Sequence, residues 1–419
     1  MLQVKGTRTR SSEQVARMSC IIETLRSETI NRGALERDYP IIEETPRLME
    51  KYGDDEKQVY NLERLATDDV GHSAVGSQRD HVALNEGVGS GACGPDHVEQ
   101  SSSGRVSDHA QKVPLSLRYD LTTQFACYVG REKPQKSFQV GKVFRRDTPN
   151  QSQLRWREFY QFDYDLKGFD DETHAILECL DTLYTCLEKL GLGRDQCTVS
   201  INDRRAINAA LARAEIPAEY WKTTCSTLDK LDKLGSWDAV VGELRDVKGV
   251  PNAERIQKCV EEIDLTTDEY ISPSVFEVFP DLRFDGTLVR GLDYYTGVVF
   301  EVKLGDKNKN GSSCSISGGG QYRDSIGFSI GLDRILDHPN VVATFSDRLE
   351  KKKPLYLITF GGKEVQMEAI KKARGLRKER GVPVKIYPIP KPAKLKNAIE
   401  KANKDSGEFL VFGPDDLNK

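Results

Sequence analysis

Phe144-Arg145-Arg146-Asp147 closes one apolar stretch, and Arg155-Trp156-Arg157-Glu158-Phe159-Tyr160-Gln161-Phe162-Asp163-Tyr164-Asp165-Leu166-Lys167 opens the next. Side chains alternate across a strand, so in the second stretch Tyr160, Phe162, Tyr164 and Leu166 point one way and Gln161, Asp163 and Asp165 the other. With the run from Ser137 to Asp147 this predicts an antiparallel hairpin joined by a long polar loop, Thr148 to Trp156. Two carboxylates on one face, opposite a strand that carries arginine, suit a polar cavity better than a plain solvent face. The alternative is a half-exposed sheet in which Asp163 and Asp165 pair with sheet arginines.

Working outward, Val15, Met18, Ile22 and Leu25 recur at helical spacing, predicting a helix from Ser12 to about Arg32 that Gly33 ends in a left-handed turn. Tyr39-Pro40-Ile41-Ile42 reads as a short extended segment at a sheet edge, because proline has no N–H to give a ladder. Leu115 to Tyr119 is a strand. A helix opened by Asp170-Asp171 runs to Leu190, and Gly191 stops it. From Asn202 to about Leu265 the chain is mostly helical, and strands return near Phe284 and at Val298 to Val302. Gly318-Gly319-Gly320 allows close backbone approach or a turn. Gly327 to Arg334 is a strand breaking into a helix. The end of the chain alternates strand and helix, a small parallel α/β module behind the linker Lys351-Lys352-Lys353-Pro354.

Composition bounds the rest. The 419 residues are 38% hydrophobic and 30% charged, which suits two or three globular domains. No window approaches the roughly 18 apolar residues of a membrane span. Met1 to Arg10 lack a signal-peptide run, and the nine cysteines include no Cys-x-x-Cys pair, so a cytoplasmic protein is expected. The net charge of −4 is uneven: Lys351 to Lys419 hold 17 Lys and Arg against 8 Asp and Glu. A basic end on an acidic body points to a polyanion partner; a solvated lysine-rich surface is the bland alternative. Residues 66–112 are rich in Gly, Ser, Asp and His without apolar period, and read as a disordered insert. Their histidines, with Cys93, fit no zinc spacing, and no metal-ligating residue is assigned.

Arg145, Arg290 and Arg334 lie in separate elements, and a planar, permanently charged fork suits phosphate oxygens. The sequence has neither a Gly-x-x-x-x-Gly-Lys-Ser/Thr loop nor a Gly-x-Gly-x-x-Gly turn after a strand. A nucleotide, if bound, would therefore sit on an antiparallel sheet under arginine clamps.

Phe144-Arg145-Arg146-Asp147 with Arg155 to Gln161 resembles the second signature of class II aminoacyl-tRNA synthetases. Gly327 to Arg334 resembles the third, and Glu36 to Glu43 the first. Arg290-Gly291-Leu292-Asp293-Tyr294-Tyr295 and the glycine run ending at Tyr322 resemble peptides peculiar to the histidyl-tRNA synthetase family. Lys5-Gly6-Thr7-Arg8 and Leu117-Arg118-Tyr119-Asp120-Leu121-Thr122 match it too. The resemblance spans nearly the whole chain except 66–112.

The resemblance implies an α+β catalytic domain on an antiparallel sheet, in two parts (1–205 and 284–349), with a mostly helical insertion (206–283) and a short anticodon-binding-like α/β domain (350–419). It implies ligation of L-histidine to tRNA(His) through a histidyl-adenylate. A non-catalytic regulatory or tRNA-sensing relative is the other expectation. Arg145 would hold the ATP α-phosphate and the attacking carboxylate, Arg334 the γ-phosphate, and Arg290 the other side of the α-phosphate, with Arg155 in the ATP site. Asp120 and Thr122 would bind the substrate's amino end and Gln161 its carboxylate region, while Asp165, Tyr295 and Tyr322 would read the imidazole. Mg2+ would bridge ATP oxygens, and a homodimer would form through residues 12–43. Gln321-Tyr322-Arg323 departs from the family's usual Gly-Arg-Tyr-Asp. The short link from Tyr322 to Gly327 is expected to strain the sheet pairing.

Overall fold

The computed structural model describes residues 4–46, 48, 59–62, 114–122, 124–125, 135–263, 270–289, 295–307, 313–349, 355–381, 383–404 and 408–416. The expected insert at 66–112, the linker at 351–354 and Arg290 lie outside the described residues. Among the described residues fourteen strands run in chain order: β1 Leu35–Glu36, β2 Ile42–Glu44, β3 Tyr60–Leu62, β4 Leu115–Leu117, β5 Gln135–Phe144, β6 Glu158–Lys167, β7 Cys197–Asp203, β8 Arg283–Phe284, β9 Val298–Lys307, β10 Ser313–Tyr322, β11 Ser325–Gly331, β12 Leu355–Thr359, β13 Val384–Pro388 and β14 Glu408–Phe412. They fall into two compact units. One comprises Met1–Thr9, Leu25–Glu188 and Leu192–Ile335; the other comprises Arg10–Thr24, Lys189–Gly191 and Leu336–Lys419.

The larger unit is built on an eight-stranded sheet ordered β1-β5-β6-β11-β10-β9-β7-β8. Its interior is antiparallel, while the edge pairs β1–β5 and β7–β8 are parallel. The β5–β6 hairpin forms as the alternation predicts, and its loop folds back through an Asn150–Arg155 bridge. Register then sorts the two faces. Phe138 lies opposite Tyr164, and Tyr164 opposite Phe328, so one face carries a packed aromatic row. Their ring centroids are 5.8 Å (Phe138–Phe162) and 5.4 Å (Tyr164–Phe328) apart. The other face carries the rows Ser137–Asp165–Gly327, Gln139–Asp163–Ser329 and Gly141–Gln161–Gly331. Both faces are buried along β6, so the polar row is interior and not a solvent face.

The glycine run is neither turn nor loop. Gly318, Gly319 and Gly320 stand mid-strand in β10, opposite Ser329, Phe328 and Gly327 of β11. A Cβ on Gly319 would overlap the Gly327 carbonyl and the Phe300 ring, and one on Gly320 would overlap the Val298 carbonyl and crowd Tyr295. The tight Tyr322–Ser325 link does not break the pairing, which runs regularly from Tyr322↔Ser325 to Ser317↔Ile330. The turn is accommodated instead at Arg323, whose φ is +51°.

The Ser12–Asn31 helix ends at Gly33, φ +80°, and the Glu172–Lys189 helix at Gly191, φ +79°. Between β7 and β8 the described residues are helical, from Arg204–Arg213 through Pro273–Val278. A small sheet, β2-β4-β3, puts β2 at an edge after Pro40.

In the smaller unit β13-β12-β14 is wholly parallel. Strand side chains of opposite faces pack on different helices: Leu355 and Leu357 meet Val365, Ala369 and Ala373, while Tyr356 and Ile358 meet Ala398 and Ala402. Gly381, φ +57°, caps the Lys363–Arg380 helix. In the same unit, Arg17 reaches the Leu336 carbonyl at 3.1 Å and Asp337 at 3.1 Å.

Candidate active site

The polar face of the large sheet opens into a cavity of about 390 Å³. Asp120, Arg145, Arg155, Gln161, Tyr295 and Arg334 line it, from five separate stretches of chain. Thr122, Asp165 and Tyr322 are absent from its wall and lie buried.

Each arginine is set by its element. Arg145 follows β5 immediately; its backbone N–H donates to the Arg157 carbonyl at 2.9 Å. Its guanidinium lies 4.4 Å over the Tyr119 ring and 5.3 Å over Phe159, where ring faces attract a cation. Its Nε donates to the Tyr119 carbonyl at 3.1 Å, and Nη2 donates to Gln161 Oε1 at 3.4 Å. Arg334 sits where β11 breaks into the short Leu332–Ile335 helix, and donates to the Ser315 carbonyl. Its neighbour Asp333 pins that break by accepting from the Tyr160 N–H at 2.7 Å and pairing with Arg8 at 3.2 Å. Arg155 faces Asp147 at 3.7 Å.

The three guanidinium groups feel one another. Burial lowers the Arg334 pKa from its ordinary value, and the fields of Arg155 and Arg145 lower it further. Mutually repelling, partly desolvated cations are relieved by a bound polyanion.

The carboxylates behave in the opposite sense. Burial, with Asp120 next in weight, pushes the Asp163 carboxyl up to about 7. Asp165 is raised well above the carboxylate range by burial and then by Asp163. Neither pairs with a sheet arginine. Asp163 accepts from Thr122 Oγ1 at 2.8 Å and Gln161 Nε2 at 2.7 Å; Asp165 accepts from the Tyr322 hydroxyl at 2.6 Å. Hydrogen bonds thus tie the buried Thr122 to the cavity wall through Asp163 and Gln161. Gly327 makes room here, since a Cβ on it would overlap the Asp165 carboxylate. Tyr295 packs beside Leu288 and Val299, and Tyr322 beside Phe125 and Tyr39.

Several lining residues were given no role from the sequence, Tyr119 and Phe159 being visible only as members of the matching segments. Tyr119, Phe159, Glu301 and Ser315 belong to ordinary-looking strands or their flanks, and Ser226, Asp229 and Lys230 come from the helical region between β7 and β8. Arg8 was visible only as part of Lys5-Gly6-Thr7-Arg8; its pairing with Asp333 explains that segment physically. Among the described residues no group of three or more His, Cys, Asp or Glu could hold a metal ion, and no helix is long and apolar enough to cross a membrane.

No family model matches the chain. Among curated proteins, the histidine–tRNA ligase of Christiangramia forsetii is 30% identical over 468 aligned residues, covering 99% of this chain and 92% of that protein. The histidine–tRNA ligase of Danio rerio is 30% identical over 388 residues, covering 79% of this chain and 66% of its own length. The chain thus spans about two thirds of the length of such longer relatives. Among solved structures, apo histidyl-tRNA synthetase of S. aureus superposes with a TM-score of 0.58 at 16% identity, over 100% of this chain and 93% of that one. At that identity the likeness speaks for the fold alone.

Proposed function

The chain belongs to the histidine–tRNA ligase family, and from that premise we propose that it joins L-histidine to tRNA(His) through a histidyl-adenylate made from ATP. The observation that carries the reading is the meeting of Arg145, Arg155 and Arg334 around one cavity that also holds Asp120, Gln161 and Tyr295. The regulatory alternative is not favoured, because the curated relatives found are named as ligases.

In this reading an oxygen of the histidine carboxylate attacks the α-phosphorus of ATP, a P–O bond forms, and pyrophosphate leaves with the electron pair. Charge builds on the α-phosphoryl oxygens, so fixed cations there lower the barrier. Arg145, held against the Tyr119 and Phe159 rings, addresses the α-phosphate and the attacking carboxylate. Arg334 takes the γ-phosphate, with Arg155 beside it. Arg290, carried by the Arg-Gly-Leu-Asp-Tyr-Tyr segment, takes the far side of the α-phosphate. Holding both reactants in line supplies much of the remaining acceleration. A hydroxyl of the tRNA's terminal ribose then attacks the activated carbonyl and AMP leaves.

Asp120 and Thr122 receive the substrate's ammonium, Gln161 the carboxylate region, and Asp165 with Tyr295 and Tyr322 the imidazole. An imidazole presents two ring nitrogens; an apolar side chain of similar shape would leave these buried groups unsatisfied, at roughly 1–3 kcal/mol each. Mg2+ would arrive with ATP, ligated chiefly by phosphate oxygens and water. Of the carboxylates on the cavity wall, Asp147, Asp229 or Glu301 would support it.

The same reading assigns residues 1–205 and 284–349 to catalysis, 206–283 to the helical insertion and 350–419 to a short anticodon-binding-like domain. It takes the protein as a cytoplasmic homodimer joined through residues 12–43. Histidine-dependent exchange of pyrophosphate into ATP tests the adenylation step, and charging of a tRNA(His) transcript tests the transfer. A folded protein that does neither refutes the proposal.

A further inference from the structure

We propose that Asp163, buried behind the cavity wall, is a positioning residue that fixes the hydrogen-bond polarity of the subsite for the amino end of histidine. The inference rests on the ligase reading and deepens it. Asp163 is 1% exposed and is absent from the cavity wall. It nevertheless binds two side chains assigned to the substrate, Thr122 and Gln161, from opposite sides of its carboxylate: Oδ2 to the first, Oδ1 to the second. Ser329, opposite it in register on β11, adds a third donor.

An ionised carboxylate only accepts hydrogen bonds. Thr122 must therefore spend its single O–H on Asp163, which leaves only lone pairs on that oxygen. Gln161 must turn its NH₂ toward Asp163, which leaves its carbonyl oxygen facing the Arg145 side, 3.4 Å from Nη2. Asp120, on the cavity wall, contributes carboxylate oxygens. Thr122 and Asp120, the two side chains assigned to the amino subsite, then offer it only acceptors, and an ammonium, with three N–H donors and no acceptor, is the complementary ligand. The charges around Asp163 support this. Asp120 and Asp165 are its acidic neighbours, Arg118 its basic one. An arriving cation favours the ionised, accepting form of such a cluster.

An amide at position 163 breaks the logic. Its NH₂ must donate to one of the two neighbours, so either Thr122 turns its O–H toward the ammonium or Gln161 turns its NH₂ toward Arg145, and either change disturbs the set of acceptors.

Calorimetric binding to the full chain tests this with two probes. Histidinol keeps the ammonium and imidazole but lacks the carboxylate; imidazolepropionate keeps the carboxylate and imidazole but lacks the ammonium. Asp163→Asn is expected to weaken histidinol by at least about tenfold and imidazolepropionate by less than about twofold. If Asp163→Asn does not fold, the wild-type protein decides the matter: the ratio of histidinol to imidazolepropionate affinity should rise several-fold from pH 6 to pH 8, as Asp163 becomes a pure acceptor, and a flat ratio overturns the positioning role. Equal losses for both probes, or unchanged histidinol binding in a folded variant, overturn the positioning role alone. Wild-type protein that binds neither probe overturns the ligase reading and this inference with it.

Discussion

The Tyr322 hydroxyl donates a 2.6 Å hydrogen bond to Oδ1 of Asp165, and both side chains are buried. Tyr322 lies at the end of β10 and Asp165 on β6, so the bond crosses β11, which separates them in the sheet. It fixes one carboxylate oxygen; in the proposed reading the other takes an imidazole N–H. Tyr322→Phe should raise the KM for histidine about tenfold while leaving the KM for ATP within about twofold. Steady-state pyrophosphate exchange separates the two; equal changes in both constants would assign Tyr322 to packing only.

Gly327 sits opposite Asp165 in register, and a Cβ there would overlap both the carboxylate and the Tyr164 carbonyl. The backbone oxygen cannot swing away as a flexible side chain can. Gly327→Ala should destabilise the large unit by about 1–3 kcal/mol, read by denaturant unfolding. Gly375→Ala, in the Lys363–Arg380 helix with open space around its Cβ position, should be neutral or stabilising. Similar losses from both would contradict the close-approach account.

Asp163 makes stability depend on pH. Burial raises its carboxyl from 3.8 in the unfolded chain to about 7 in the folded one. Between those values the folded state holds the proton more tightly, so this group's effect is to lower stability as pH rises through the interval. Asp163→Asn removes that slope. The melting temperature of the ligand-free variant, relative to wild type, should therefore climb between pH 5 and pH 8 by about 2 °C or more. A difference that is flat or falls with pH would contradict the assignment.

Arg334→Ala should remove a cation from the end of the cavity proposed for the γ-phosphate and cut the exchange rate by about 10²–10³-fold. Arg334→Lys should recover only part of it, because a point charge cannot reproduce the guanidinium's bond to the Ser315 carbonyl together with a phosphate contact. Full recovery by lysine would reduce Arg334 to a general electrostatic role.

What could be read from the sequence was set by local periodicity. The alternation from Tyr160 to Leu166 gave the β6 faces, and Gly33 and Gly191 marked two helix ends. The β11-to-helix break at Arg334 was visible because strand pattern and glycine coincide there. What was hidden is non-local. Thr122 and Asp163 are 41 residues apart, and nothing in either neighbourhood announces their bond. The Tyr119 and Phe159 rings that hold Arg145 read as ordinary core aromatics until the sheet and the segment after β4 bring them together. Gly318 to Gly320 looked equally like a turn, because a glycine demanded by its neighbours in a sheet is identical in sequence to one demanded by backbone torsion.

In the proposed mechanism, separate guanidinium groups grip a triphosphate beside a pocket shaped for one amino acid. Exchange of labelled pyrophosphate into ATP, run with each standard amino acid in turn, tests it most directly. Histidine should support exchange and every other amino acid only background, and Arg290→His should abolish the exchange. Exchange supported by a different amino acid, no exchange from folded protein with histidine, or wild-type turnover in Arg290→His would contradict it.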